Sequence, residues 1–164
     1  MEQLRWTRQL SINYRTLTVS QQGISDPFSV WTQTHVNQGF VWRPQSVSFA
    51  TLESDSSRPY IEVAMRDSYT PPPDALRIIR VPFQATSQGI EVTSPLSESW
   101  RIGLLSGSYN IYFAIEVDIN GVNEEPWIYR LAFVSVTHDE PAQILRADEN
   151  LNPPDELDMS AEPA

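Results

Sequence analysis

The strongest constraint on the fold is a strict alternation of apolar and polar side chains over residues 109–119. Because successive side chains of a β-strand point to opposite faces, this period of two places the large apolar groups on one face. The pattern predicts a long strand of an antiparallel sheet with one covered face. The apolar set is Tyr109, Ile111, Phe113, Ile115, Val117 and Ile119.

A second long strand is predicted over residues 127–137, where apolar side chains fall on both faces. That distribution is typical of a central strand. Between the two strands, residues 120–126 contain Asn120-Gly121 and Pro126. This turn chemistry predicts that the strands form a hairpin with a long tip.

Shorter apolar runs, separated by turn-forming residues, recur along the rest of the chain. Their spacing of roughly ten residues is typical of a sandwich or a barrel. The predicted fold class is therefore all-β, an antiparallel β-sandwich of about seven to nine strands. The runs cover residues 10–19, 47–52, 60–66, 76–83, 90–94 and 100–105.

Two local features modify this pattern. Within residues 10–19 the apolar positions change parity between Arg15 and Thr16, which predicts a β-bulge there. Residues 26–39 are expected to hold at most one short helix, with Asp26 as its N-cap, Pro27 in its first turn and Gly39 at its end.

The acidic charge is concentrated at the C-terminal end of the 164-residue chain. From Asp139 onward, eight acidic residues stand against Arg146 alone, a balance of −7 out of the total of −10. Such a Pro-rich, charged segment predicts disorder. We therefore expect one β-sandwich domain over residues 1–138, followed by a flexible, largely disordered acidic tail over residues 139–164.

Composition also narrows the classes of function. The chain has no cysteine, which excludes disulfide scaffolds and thiolate zinc sites. The first twenty residues carry three arginines and lack an apolar block, and no run approaches the roughly 20 apolar residues of a membrane span. We expect a cytoplasmic protein that does not act at a membrane. Direct binding of nucleic acid is disfavoured because there is no basic excess to neutralise phosphates.

The sequence shows no set of residues with the spacing of a catalytic or metal site. The two histidines, His35 and His138, have no metal-ligand spacing, and no serine lies in a Gly-x-Ser-x-Gly elbow. Asp67, Asp74 and Asp118 are candidates for a calcium cluster, but no calcium-loop motif supports them. We expect a protein that is not an enzyme and that needs neither cofactor nor metal.

A series of short segments, taken in order, resembles the competence protein J family, also called inhibitors of the DNA-entry nuclease. The resemblance spans residues 6–137 and implies a small cytoplasmic protein without catalytic residues that binds and blocks a cognate nuclease. The acidic extension after Thr137 has no known counterpart in the family. The segments are Ser11-Ile12-Asn13-Tyr14 with Val19, Trp31-Thr32, Gly39-Phe40, Ser48-Phe49, Val81-Pro82-Phe83, Gly89-Ile90-Glu91-Val92, Leu104-Leu105-Ser106-Gly107-Ser108-Tyr109, Tyr129-Arg130-Leu131 and Phe133-Val134-Ser135-Val136.

If the partner is a nuclease, its phosphate-binding site is electropositive, and carboxylates and aromatic anchors are the groups expected to bind it. Glu124 and Glu125 at the hairpin tip, beside Trp127, are the first candidates. Asp74, after three prolines, and Trp42, in a turn-rich segment, are further candidates. The alternative is a β-sandwich module that binds carbohydrate or another ligand through exposed aromatic rings. Self-association is left open.

Overall fold

The alternating apolar pattern corresponds to two packed β-sheets in the computed structural model, which describes residues 4–52 and 57–164. These residues contain eleven strands and one helix. The strands are β1 Arg5–Gln9, β2 Thr16–Gln21, β3 Phe40–Arg43, β4 Ser46–Ala50, β5 Tyr60–Arg66, β6 Ala75–Ala85, β7 Ile90–Thr93, β8 Trp100–Ile102, β9 Gly107–Val117, β10 Trp127–Ser135 and β11 Gln143–Arg146, and the helix is α1 Gln33–Gln38.

The strands form a six-stranded sheet in the order β1-β5-β10-β9-β6-β11 and a five-stranded sheet in the order β3-β4-β2-β7-β8. Neighbouring strands are antiparallel except β5 and β10, which are parallel. The predicted fold class, an all-β sandwich of mostly antiparallel strands with one short helix, is confirmed. The strand number exceeds the predicted one because short edge strands such as β3 and β11 carry little periodic signal.

The predicted hairpin is formed by β9 and β10, which pair from Trp127 opposite Val117 to Ser135 opposite Tyr109. β10 lies between β5 and β9, as expected of a central strand. The apolar face of β9 is buried in the core between the sheets, where the ring of Phe113 stacks on Phe49 of the opposite sheet at 4.6 Å. Alternation in the sequence therefore reports directly which face of the hairpin is buried.

The predicted bulge near Arg15 is wrong, because residues 10–19 are not one strand. β1 lies in the six-stranded sheet and β2 in the five-stranded sheet, and the chain passes between them through a tight turn. Tyr14 and Arg15 occupy that turn with φ of 56° and 51°, and the Thr16 amide donates to the Asn13 carbonyl at 3.2 Å. The change of apolar parity marks the crossing from one sheet to the other.

The helix is shorter than residues 26–39, and Asp26 does not cap it. Thr32 is the N-cap: its hydroxyl accepts a hydrogen bond from the His35 amide, and the His35 ring accepts one from the Thr32 amide at 3.0 Å. This is a capping box with histidine in the position usually held by Glu or Gln. Gly39 ends the helix with φ of 87°, as predicted.

The C-terminal segment, residues 139–164, follows an ordered path along the sandwich, and the predicted disorder does not describe it. β11 pairs antiparallel with β6 and places Ile144 opposite Ile79. Further along, Gln38 exchanges two hydrogen bonds of 2.9 Å with the backbone of Asp158. Several apolar side chains anchor the segment on the core. They are Ala142, Ile144, Leu151, Leu157 and Met159.

The described part of the chain contains no helix that is long and apolar enough to cross a membrane.

Candidate functional site

Strand pairing gathers most of the predicted site residues at one end of the sandwich. The connections that precede β2, β6, β8 and β10 all lie at this end. We call it the loop end and define it by residues 10–15, 71–74, 94–99, 118–126 and 147–151. Its surface is built from loops held by two rigid sheets, an arrangement that commonly carries function.

The tip of the β9–β10 hairpin, residues 118–126, is closed by its own hydrogen bonds. The Asp118 amide donates to the Pro126 carbonyl at 3.0 Å, and the Asp118 carboxylate accepts from the Asn123 amide at 2.7 Å. The latter hydrogen bond is the main cause that lowers the pKa of Asp118. The Asn123 side chain also accepts from the Tyr60 amide at 2.8 Å, which ties the loop to β5. These hydrogen bonds give the hairpin tip a defined conformation at the end of the sheet.

Four of the five predicted contact residues lie together at the loop end. Glu124 is exposed on the hairpin tip, whereas Glu125 and Trp127 are half-buried. Asp74 is exposed directly before β6, whose first residue, Ala75, pairs with Glu116 at the end of β9. The sheet therefore brings Asp74 to the same end as the hairpin tip.

Trp42, the fifth predicted contact residue, lies elsewhere. Its indole N–H donates to the carbonyl of Pro82 at 2.8 Å, which joins β3 of one sheet to β6 of the other. The side chain is half-buried and packs against the core. Pro82 is on the half of β6 far from Ala75, so Trp42 is separated from the other four residues.

A cleft of about 1040 Å³ opens beside Trp127 at the loop end. Its walls include the aromatic side chains of Tyr14, Trp31 and Trp127, and Glu149 lies at its margin. Large apolar walls with a few polar groups are typical of surfaces that bind a ligand or a partner. This cleft was not predicted, because its walls come from residues that are distant in the sequence.

A buried ion pair at the base of the cleft is the principal feature that the sequence reasoning missed. Arg77 is only 2% exposed, and its Nε and Nη2 donate to the two carboxylate oxygens of Asp148 at 3.1 and 2.9 Å. Its Nη1 donates to the Ala50 carbonyl at 2.8 Å. The sequence signal that could have revealed this ion pair is an arginine at a buried position of β6, on the same face of the strand as Ile79 and Val81.

On the outer face of the six-stranded sheet, Glu116 lies close to Arg130, with 3.3 Å between Oε2 and Nε. Burial raises the pKa of Glu116, and the neighbouring Asp74 adds to the shift, whereas Arg130 opposes it. The ring of Tyr69 stacks on Tyr112 at 4.1 Å beside them, and burial raises the pKa of Tyr69 to about 12. On this face the charged and aromatic side chains contact one another instead of lining a cleft.

The candidate catalytic and metal groups do not converge. Among residues 4–52 and 57–164, no group of three His, Asp or Glu side chains is placed to hold a metal ion. His35 is buried, and its Nε2 lies 2.9 Å from the carbonyl of Ser160, whereas His138 is exposed after β10.

Comparisons with known proteins agree on one family. The family model described as Competence protein J (ComJ) matches residues 9–134. A curated relative, a DNA-entry nuclease inhibitor from Bacillus subtilis (strain 168), is 26% identical over 104 residues, which cover 63% of this chain and 76% of that protein. The C-terminal segment lies beyond the family match.

Two solved structures share the fold. The crystal structure of ComJ, inhibitor of the DNA degrading activity of NucA, from Bacillus subtilis, superposes with a TM-score of 0.71 and 23% identity, over 83% of this chain and all of that chain (100%). Crocagin biosynthetic gene J superposes with a TM-score of 0.53 and 10% identity, over 80% of this chain and 98% of that chain. At these identities the likeness concerns the fold alone.

Proposed function

Because the chain belongs to the competence protein J family, we propose that it is a non-catalytic protein inhibitor of a cognate nuclease. The curated relative is named as an inhibitor of a DNA-entry nuclease, and the ComJ crystal structure is described as an inhibitor of a DNA-degrading activity. The observation that carries the proposal here is the gathering of Asp74, Glu124, Glu125 and Trp127 at one loop end. We place the protein in the cytoplasm of the cell that makes the nuclease.

Electrostatics explains why carboxylates suit this task. A nuclease holds a phosphodiester in an electropositive site, so a negative surface is steered toward that site and competes with DNA. Within the described residues, Asp74 and Glu124 are exposed and belong to no ion pair, so their charge is available to a partner. Glu125 and Trp127 follow Glu124 on the same hairpin, and Trp127 extends the surface into the cleft.

The acidic C-terminal segment takes a smaller part in this proposal. Three of its carboxylates already serve the fold, because Glu140 lies 3.3 Å from Arg80, Asp148 binds Arg77 and Asp158 lies 3.4 Å from the His35 ring. Its exposed acids add long-range attraction, which salt screens over about 8 Å at physiological ionic strength. They set the rate of association more than the affinity.

The test uses the nuclease encoded beside this gene and the paired substitution Glu124→Gln with Glu125→Gln. These changes keep the side-chain shape and remove the charge. Removal of a charge that is desolvated in an interface costs about 2 kcal/mol or more, so we expect inhibition to weaken at least about thirtyfold. The readout is the concentration of protein that halves the rate of DNA cleavage.

The matched control is Asp155→Asn with Glu156→Gln. This pair is also adjacent and acidic; both of its residues are exposed, and they lie beside Pro82 and Pro141, away from the loop end. It should leave affinity nearly unchanged. If both pairs weaken inhibition equally, net charge rather than the hairpin tip is responsible. If the unaltered protein leaves the nuclease fully active at micromolar concentration, the proposal fails.

A second candidate function, carbohydrate binding, is favoured by one observation, the three aromatic residues that line the cleft. Sugar rings stack on such side chains. Titration with oligosaccharides, followed by tryptophan fluorescence, separates the two functions: quenching at micromolar sugar would support this candidate, and an unchanged spectrum would exclude it for the sugars tested.

A further inference from the structure

The turn between β1 and β2 holds two bulky residues in a backbone conformation that such residues rarely adopt. Tyr14 and Arg15 both have positive φ, of 56° and 51°. A two-residue turn with positive φ at both central positions is normally built from Asn and Gly, because a Cβ atom is strained there. The side chain of Tyr14 is 67% exposed, so packing of that side chain offsets little of the strain.

A neighbouring loop repeats the same combination. Leu96 has φ of 61° and is 88% exposed. The two loops are fixed to each other through Asn13, whose amide donates to the Ser94 hydroxyl at 2.8 Å and whose side chain donates to the Pro95 carbonyl at 2.6 Å. These hydrogen bonds join the loop that carries Tyr14 to the loop that carries Leu96.

Exposed apolar side chains continue across the rest of the loop end. Ile119, on the hairpin tip, is 81% exposed, and Val122 follows it on the same loop. Tyr14 itself stands at the margin of the cleft, together with the exposed side chain of Leu76. These side chains are exposed at one end of the sandwich, and exposed apolar surface with a polar surround marks sites of protein association.

We infer that Tyr14 and Leu96 are the apolar anchors by which the loop end binds its nuclease. The partner surface that fits is a basic one with an apolar recess, because Glu149 lines the cleft together with Tyr14 and the exposed acids Asp74 and Glu124 lie at the same end of the sandwich. This inference rests on the proposed function and adds to it. Carboxylates that stay solvated in a complex contribute little affinity, whereas a few aromatic and aliphatic anchors carry most of the binding energy of an interface.

The backbone strain of the turn that carries Tyr14 has a function in binding. A strained turn that is fixed before binding presents its anchor in one orientation, so less conformational entropy is lost when the complex forms. A substitution at Tyr14 that relaxes the turn and removes the anchor should therefore raise the stability of the fold and weaken binding of the nuclease. A purely structural role for Tyr14 predicts the same direction for both.

The test substitutes Tyr14→Asn and, separately, Leu96→Asn, since asparagine tolerates positive φ. Each variant should keep or raise its thermal midpoint and should inhibit the co-encoded nuclease about thirtyfold less strongly. Leu105→Asn is the matched control: Leu105 is 71% exposed but follows β8 at the opposite end of the sandwich. It should inhibit as the unaltered protein does.

Each outcome has a distinct meaning. Unchanged inhibition by both variants would overturn the assignment of anchors while leaving the proposed function intact. A fall in thermal midpoint that parallels the loss of inhibition would also overturn it, because Tyr14 or Leu96 would then serve the fold. Failure of the unaltered protein to bind or inhibit the nuclease would overturn the proposed function itself.

Discussion

Replacement of Asp148 by alanine tests whether the C-terminal segment is part of the folded sandwich. The substitution removes both hydrogen bonds of the carboxylate to Arg77 and its negative charge. The guanidinium is 2% exposed, so it stays buried with only the Ala50 carbonyl as a remaining partner. Breaking a buried ion pair by removal of one partner costs about 3–5 kcal/mol, because the other charge is left uncompensated.

This loss is large enough to measure by two methods. For a chain of this size, 3–5 kcal/mol lowers the thermal midpoint by roughly 6–20 °C. With an m-value of about 2 kcal/mol/M, the urea midpoint falls by about 2 M. Tryptophan fluorescence follows the transition, since the chain has five tryptophans.

Two control variants separate the ion pair from general effects. Asp139→Ala removes an exposed acid from the same segment and should change the free energy of unfolding by less than about 0.5 kcal/mol. Arg77→Met combined with Asp148→Leu removes both charges and should recover most of the stability. A free energy of unfolding for Asp148→Ala within about 1 kcal/mol of the unaltered protein would refute the reasoning and favour a loosely attached tail.

Two further predictions concern stability. Gly39→Ala should destabilise the fold by about 1–3 kcal/mol in a urea titration, because φ is +87° and the new Cβ would lie 2.9 Å from Cδ2 of Leu151. Gly121→Ala is the control: its φ is +63° and its new Cβ would meet nothing within 4 Å, so it isolates the contribution of the backbone. Burial raises the pKa of Glu116, so the folded state binds the carboxyl proton of this residue more tightly than the unfolded state does. The stability that this proton contributes is lost as pH rises through the folded pKa. As pH rises above the ordinary pKa of a glutamate, Glu116→Gln should therefore lose less stability than the unaltered protein in urea titrations, and an identical pH profile would contradict this.

The part of the fold that the sequence predicted best is the part with the simplest burial pattern. Residues 60–66 were predicted as a strand and form β5 with the same bounds, and the 109–119 alternation corresponds to β9 within two residues at each end. In both, one buried face fixes the period of two. Burial of a sheet face is a local consequence of the sequence, so periodicity is sufficient to find it.

Long-range contacts account for the elements that were missed. Averaged composition made residues 139–164 look disordered, but Ile144, Leu151 and Leu157 are spaced so that each reaches the core, and Asp148 neutralises Arg77. No local pattern connects an acid in the last segment with an arginine in β6. Similarly, the capping role of His35 depends on its ring accepting a hydrogen bond from Thr32, which a rule based on Glu or Gln does not detect.

The candidate site was predicted in part for the same reason. Glu124, Glu125 and Trp127 were predicted together because they belong to one hairpin, whereas Asp74 was predicted from its place after three prolines; the pairing of β6 with β9 brings Asp74 to the same end, and the role of all four in binding stays a prediction. The sequence did not predict Tyr14 and Leu96, the anchors proposed above, since their positive φ contradicts the preference of their residue types. Violations of local preference at exposed positions are visible only in coordinates.

The most direct test of the central claim is the initial rate of DNA cleavage by the co-encoded nuclease, measured over a matrix of protein and DNA concentrations. If the protein occupies the catalytic site, the apparent KM for DNA rises with protein concentration and kcat does not change. A reduced kcat at an unchanged KM would place the contact away from the catalytic site. A rate unaffected by micromolar protein would contradict the account as a whole.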